Sequence, residues 1–139
     1  MNWRLILQLS LFGLIMGIAT VFVIPSKIEP FFWLAVFIVS AYLIATRCAS
    51  QFFLHGVLVG LANSVWVTAS HALLFGTYIA NHPREVEMMQ RMPLRDTPRL
   101  MMVVTGPVVG LISGIILGVL ALIASKLVKP RVTPTVGVP

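Results

Sequence analysis

The sequence predicts an all-α integral membrane protein, a bundle of four transmembrane helices with one short interfacial helix between the third and the fourth. Of its 139 residues, 58% are hydrophobic and only 10% are charged, whereas a soluble domain carries about 25% charged residues. The mean hydropathy is +0.98, and the apolar residues gather in stretches of about 18 or more, long enough to cross a bilayer. This composition excludes a soluble globular enzyme, a disordered chain, a coiled coil and a secreted disulfide scaffold.

The first predicted span covers residues 5–24, between Arg4 and Pro25. At about 1.5 Å per residue, this run just covers a hydrocarbon core of about 30 Å. A cleaved signal peptide is the competing interpretation, but its apolar region has only about 7–15 residues and ends at a small-residue cleavage site, which this sequence lacks. We therefore expect the segment to remain as a membrane helix.

Two further spans follow, over residues 30–50 and 52–80. Arg47, near the end of the second span, has a side chain long enough to place its guanidinium at the membrane interface. The third span approaches 30 residues, more than a bilayer requires. We expect it to tilt or to project beyond the membrane.

The fourth predicted span covers residues 98–127, with Pro98 at the first helical position, where proline is favoured. Pro107 lies inside this span and removes the hydrogen bond to the carbonyl of Val103, so the sequence predicts a kink there. Residues 128–139 contain three prolines and predict an extended tail. The whole chain then forms a single membrane domain.

Residues 81–97 form the longest connection and predict a short amphipathic helix. Pro83 suits its first turn, and Glu87 and Arg91 have the favourable i,i+4 order for an ion pair. Pro93 ends the pattern. We expect this helix to lie in the membrane interface.

The positive charges do not decide the orientation of the bundle. With both termini cytoplasmic, five of the ten Lys and Arg residues lie inside and five outside, the outer five being Lys27, Arg84, Arg91, Arg95 and Arg99. Cytoplasmic loops are usually positively charged, and the charges around the first helix usually dominate the orientation. Here Arg4 and the terminal amine precede the first span. We therefore expect both termini to be cytoplasmic, in a plasma or inner membrane.

Eight of the ten glycines have G-x-x-x-G spacing, and they are Gly13, Gly17, Gly56, Gly60, Gly106, Gly110, Gly114 and Gly118. Small residues at every fourth position let the backbones of two membrane helices approach closely. The pattern therefore predicts helix packing at these positions. Two interpretations stay open: a self-association surface on the fourth span that builds an oligomer, and tight packing within one monomer.

No Asp, Glu, Lys or Arg lies deep within a span, apart from Arg47 near an end. Proton-driven transporters and ion pumps need a titratable group at membrane depth, so this pattern disfavours them. The polar residues that remain are on the third span and predict either interhelical hydrogen bonds or a polar path for a solute; they are Asn63, Ser64, Thr68 and His71. Asn63 is near the middle of its span, where an unpaired amide is costly.

Metal and haem binding are weaker interpretations. His55 and His71 are about 24 Å apart along one helix, and no second helix offers an opposing histidine. Met88 and Met92 have i,i+4 spacing, and thioethers suit Cu(I), but the surrounding arginines would repel a cation. We therefore predict no cofactor and no metal site.

The arginines of the long connection, Arg84, Arg91, Arg95 and Arg99, are candidates for contact with an anionic lipid or an acidic partner. Plain anchoring at the headgroup layer is the competing interpretation. Basic grooves with aromatic platforms are missing, so nucleic-acid binding is not predicted. The sequence shows no catalytic arrangement, and we do not predict an enzyme.

The leading functional hypothesis is a non-enzymatic membrane subunit that associates with a second copy of itself or with another membrane protein through its helix-packing faces. The alternative is a small transporter or channel for a solute or ion, with a polar path along the third span. A carrier of copper or haem comes third.

Overall fold

A computed structural model describes residues 1–129, and these fold into six helices with no strand among them. Their bounds are α1 Trp3–Phe22, α2 Glu29–Arg47, α3 Phe52–Leu73, α4 Phe75–Asn81, α5 Pro83–Gln90 and α6 Pro98–Leu127. Four of them, α1, α2, α3 and α6, are long and apolar enough to cross a membrane. The extended tail predicted for residues 128–139 lies outside the described residues from 130 onward.

The stretch predicted as one long third span is divided at Leu74, between α3 and α4. Leu74 has φ −99° and ψ 29°, which is not helical. Beyond this break α4 packs against α1, and the Asn81 Nδ2 donates to the Val21 carbonyl at 2.7 Å. The break leaves α3 with 22 residues, about 33 Å at 1.5 Å per residue, close to the thickness of a hydrocarbon core.

The four long helices run alternately up and down, which gives the bundle two ends. The terminal end holds the beginnings of α1 and α3 and the ends of α2 and α6. There the backbone N–H of Asn2 donates to the His55 Nε2 at 2.9 Å and ties α1 to α3. The loop end, opposite, holds α4 and α5.

Helix α3 is the centre of the bundle, with α1 on one side and α6 on another. All eight glycines of the G-x-x-x-G series lie against a neighbouring helix of the same chain. A Cβ added at Gly60 would collide with the Cα of Gly114, and one at Gly13 would lie 2.5 Å from the Cα of Asn63. The glycine ladder of α6 is therefore covered by α3 within one molecule.

The hydrophobic core lies at the terminal end. It consists of Leu5, Ile6, Leu9, Ala41, Ile44, Cys48, Val59, Leu117 and Ala121. Every buried residue of α2 belongs to its second half, from Ser40 to Thr46. Helix α2 therefore closes the bundle at the terminal end only.

Helix α6 continues through Pro107 without interruption. The Thr105 hydroxyl donates to the carbonyl of Met101 at 2.8 Å, so it does not serve the Val103 carbonyl that Pro107 leaves free. The kink at Pro107 stays a prediction.

Candidate functional site

A cavity of about 470 Å³ lies at the loop end, between α2, α3 and α6 and beneath α5. Its walls run along α3 from Gly60 to His71, about 16 Å at 1.5 Å per residue. From α2 it receives Glu29, Trp33 and Phe37, which share one face because they are spaced by four. The cavity therefore reaches about half the length of the bundle.

The four polar residues singled out on the third span, Asn63, Ser64, Thr68 and His71, all line this cavity. Asn63 is only 3% exposed, and its Oδ1 accepts a hydrogen bond from the backbone N–H of Gly13 at 3.0 Å. Its Nδ2 is buried and has no acceptor among residues 1–129. A buried donor without a partner costs about 1–3 kcal/mol, so an acceptor in the cavity would relieve this cost.

His71 is oriented by α1. Its Nε2 lies 2.8 Å from the Thr20 Oγ1, whose own proton goes to the Met16 carbonyl at 2.8 Å. The Thr20 oxygen must therefore accept, and the His71 Nε2–H donates. The His71 ring also stacks on Tyr78, with a centroid distance of 4.2 Å, and Tyr78 stacks on His82 at 4.4 Å.

Two carboxylates, Glu29 and Glu85, lie at the loop end of the cavity. The Glu29 Oε1 accepts a hydrogen bond from the Trp33 Nε1 at 3.0 Å, whereas the Glu85 Oε2 is buried without a partner. Burial first, and then the negative charges of Glu85 and Glu29, raise the pKa of Tyr78 to about 12. Within residues 1–129, no Lys or Arg lines the cavity.

Methionines form much of the remaining wall. Five of the seven in the chain line it, and they are Met88, Met89, Met92, Met101 and Met102. Thioether side chains are flexible and polarizable, and they adapt to ligands of different shape. Among residues 1–129, no group of three or more His, Cys, Asp or Glu side chains is placed to hold a metal.

His55, the other histidine of α3, lies at the terminal end. Its Nε2 accepts from the Asn2 N–H at 2.9 Å, so its Nδ1 carries the proton and donates to the Gln51 carbonyl at 2.8 Å. Both ring nitrogens serve the fold, at the opposite end of α3 from His71.

The arginines of the long connection do not line the cavity. Arg91 donates to the Glu87 Oε1 at 2.7 Å on the exposed surface of α5. Arg99 lies over the ring of Phe75, 5.5 Å from its centroid, and Arg84 and Arg95 are exposed. Contact of these residues with an anionic lipid stays a prediction.

The sequence did not indicate Glu29, Glu85, Trp33 and Tyr78 as cavity residues. Glu29 and Glu85 lie in or beside connections, and Trp33 and Tyr78 lie near the ends of predicted spans, where aromatic residues are typical of the membrane interface. A signal was present in the spacing of Glu29, Trp33 and Phe37 on one face of α2. A second was the concentration of methionines in residues 88–102.

No protein family, curated protein or solved structure matches this chain. Its function must therefore be argued from the geometry of the cavity.

Proposed function

We propose that this chain is a non-enzymatic integral membrane protein that binds a small solute in the loop-end cavity and carries it into the membrane along α3. The four long helices span the bilayer, the loop end faces outward and both termini are cytoplasmic. The observation that carries the proposal is the Asn63 Nδ2, buried in the wall of the cavity without an acceptor.

The size and chemistry of the cavity support this proposal. Ligand sites typically enclose about 300–1,000 Å³, with mostly apolar walls and a few placed polar groups. The cavity has about 470 Å³ and combines methionine and aromatic walls with the amide of Asn63 and the hydroxyls of Ser64 and Thr68. A lone polar residue holding two helices together would not need such a space.

Access is from the loop end, because the core closes the terminal end. Helix α5 covers the cavity but contributes no buried residue, and the helix against which it packs most is α4. Segments with few buried contacts open most easily, and such segments commonly act as lids. Displacement of α5 admits the solute, and passage to the other side requires the second half of α2 to separate from α6.

Oligomerisation, the leading hypothesis from the sequence, rested on a free glycine face on α6. Ser64 and Val57 of the same chain cover Gly110 and Gly114, so that face gives the hypothesis no support. It stays a prediction, which the mass of the protein in detergent tests.

The proposed function is tested with 4-neopentylacetophenone, a neutral aromatic ketone whose oxygen accepts a hydrogen bond. Trp33 lines the cavity, so in a chain carrying Trp3→Phe and Trp66→Phe its fluorescence reports binding. We expect saturable quenching, and we expect Asn63→Leu to weaken binding about tenfold, because the donor is lost.

The matched control keeps Trp3 alone, with Trp33→Phe and Trp66→Phe. Trp3 is exposed at the terminal end, so the ketone should quench it only in proportion to its concentration. Quenching of Trp33 that does not saturate, or that is unchanged by Asn63→Leu, would contradict a solute site.

A further inference from the structure

The charge of the cavity is opposite to that of the chain. The protein carries a formal net charge of +6, from ten Lys and Arg residues against four Asp and Glu. Two of those four acids, Glu29 and Glu85, line the cavity, and none of the nine Lys and Arg residues within 1–129 does. A cavity lined by one sign of charge with apolar walls concentrates ligands of the opposite sign.

We propose that the ligand is an amphipathic organic cation with a hydrogen-bond acceptor at its apolar end, an inference that rests on the proposed solute site. The cationic group lies between Glu29 and Glu85 at the loop end. The apolar body lies along the methionine and aromatic walls, and the acceptor meets the Asn63 Nδ2 at the deep end.

The loop end is built for a cation in three ways. The Glu85 Oε2 is buried with no partner, which leaves a charged acceptor unsatisfied. Glu29 is held by the Trp33 indole N–H, so its position is fixed. The Trp33 ring lies beside Glu29 and lines the cavity, and aromatic faces attract organic cations.

The deep end is built for an acceptor. Asn63 is eight residues before His71 on α3, about 12 Å at 1.5 Å per residue. Between these levels the wall includes Val67 and Val109. A ligand that satisfies both ends is therefore elongated, with its charge and its acceptor separated by an apolar body.

Two other ligand classes fit less well. A bare metal ion would leave most of the 470 Å³ unfilled. An anionic or zwitterionic solute would bring negative charge to a cavity that holds two carboxylates and, in the described part of the chain, no lining Lys or Arg. Like charges at a binding site are a strong barrier.

The experiment compares two probes of the same shape. These are (4-acetylbenzyl)trimethylammonium and its neutral isostere 4-neopentylacetophenone, in which a carbon replaces the charged nitrogen. Binding to the full chain in neutral detergent is measured by equilibrium dialysis and by quenching of Trp33. We expect the cation to bind about tenfold or more tightly than the isostere.

Two substitutions separate this proposal from the solute site itself. Glu85→Gln should weaken binding of the cation about tenfold and leave binding of the neutral probe unchanged. Glu29→Gln is a second variant of the same kind. Asn63→Leu should weaken binding of both probes by the same factor, because both carry the ketone. Glu87→Gln, on the exposed face of α5, is the matched control and should change neither.

The outcomes are distinguishable. Equal affinity of the two probes, or loss of cation binding only in Glu87→Gln, overturns the cationic ligand while the solute site stands. Saturable binding of the neutral probe without binding of the cation also overturns the cationic ligand and leaves the solute site standing. Failure of both probes to bind overturns both proposals.

Discussion

The two ends of the bundle differ although the same four long helices build both. One stripe of α2 shows why, since Glu29, Trp33, Phe37, Ala41 and Ala45 follow each other at intervals of four. Trp33 and Phe37 line the cavity at the loop end, whereas Ala41 and Ala45 are buried against the core at the terminal end. Large side chains keep the backbone of α2 away from its neighbours, and small ones let it approach.

The hydrogen bonds differ in the same way. At the terminal end both nitrogens of His55 are satisfied. From the middle of α3 to the loop end, the Asn63 Nδ2, the Glu85 Oε2 and the His82 Nε2 are buried without partners among the described residues. Ser40, whose Oγ is also unpartnered, is the exception at the terminal end. Close packing and satisfied hydrogen bonds are therefore concentrated at the terminal end, and most of the unpartnered polar atoms lie at or beside the cavity.

The largest effect is expected where α3 and α6 touch backbone to backbone. Gly60→Ala should lower the free energy of unfolding by about 3 kcal/mol, the upper end for overpacked cores, because its Cβ would meet the Cα of Gly114. Thermal unfolding in detergent measures this. The control is Gly76→Ala, where nothing lies within 4 Å and alanine should be neutral or stabilising by up to about 1 kcal/mol. Equal midpoints for the two variants would refute this contact.

A second pair of variants compares the core with the cavity directly. Ile44 is fully buried, and Ile44→Ala should cost about 2–5 kcal/mol because it opens a hole in a packed region. Phe37 is half-buried: it packs against the edge of the core, lines the cavity and makes an edge contact with Trp33, with the ring centroids 6.1 Å apart. Because it is only partly buried and opens on a cavity that already exists, Phe37→Ala should cost less, about 1–2 kcal/mol. The account of the two ends would be wrong if Phe37→Ala proved as damaging as Ile44→Ala.

A smaller effect is expected at Thr20. Thr20→Val removes the acceptor of the His71 N–H and should cost about 0.6–1.7 kcal/mol, the range measured for interhelical hydrogen bonds in membranes. Thr46→Val is the matched control, because the Thr46 hydroxyl bonds only carbonyls of its own helix. Denaturation of both variants in the same detergent makes the comparison, and a larger loss for Thr46→Val would contradict it.

The smallest effect is expected on the surface of α5. Glu87 and Arg91 are 66% and 75% exposed, and exposed ion pairs contribute about 0–1 kcal/mol. Glu87→Gln should leave the thermal midpoint within about 2 °C of the parent chain. A larger shift would show that α5 is held more firmly than a lid should be.

The helices could be predicted further than the cavity. Four apolar stretches indicate four long helices because each is long enough to cross a bilayer. The break at Leu74 could not be predicted, because no proline or glycine marks that position. It is set by the packing of α4 on α1 and by the hydrogen bond from the Asn81 side chain to the Val21 carbonyl.

The polar residues of α3 could be named from the sequence because polar groups are rare in such a helix. It could not be predicted that these residues line one cavity, because the cavity depends on the separation of the first half of α2 from α3 and α6. For the same reason Glu29 and Glu85, which sit in or beside connections, gave no sign of sharing a site.

The two ends should differ in solvent access, which the cavity at the loop end allows and the packed core at the terminal end does not. Two thiols test this difference, introduced singly by Ser113→Cys, on the cavity wall, and by Ser40→Cys, which is fully buried, each with Cys48→Ala. Exposed Ser50, changed to Cys, provides the fully reactive reference. With a membrane-impermeant maleimide in detergent, we predict that Ser113→Cys reacts at a rate approaching that of Ser50→Cys and that Ser40→Cys stays unmodified. Equal protection of the thiols at positions 113 and 40 would show that the cavity is as closed to solvent as the packed core.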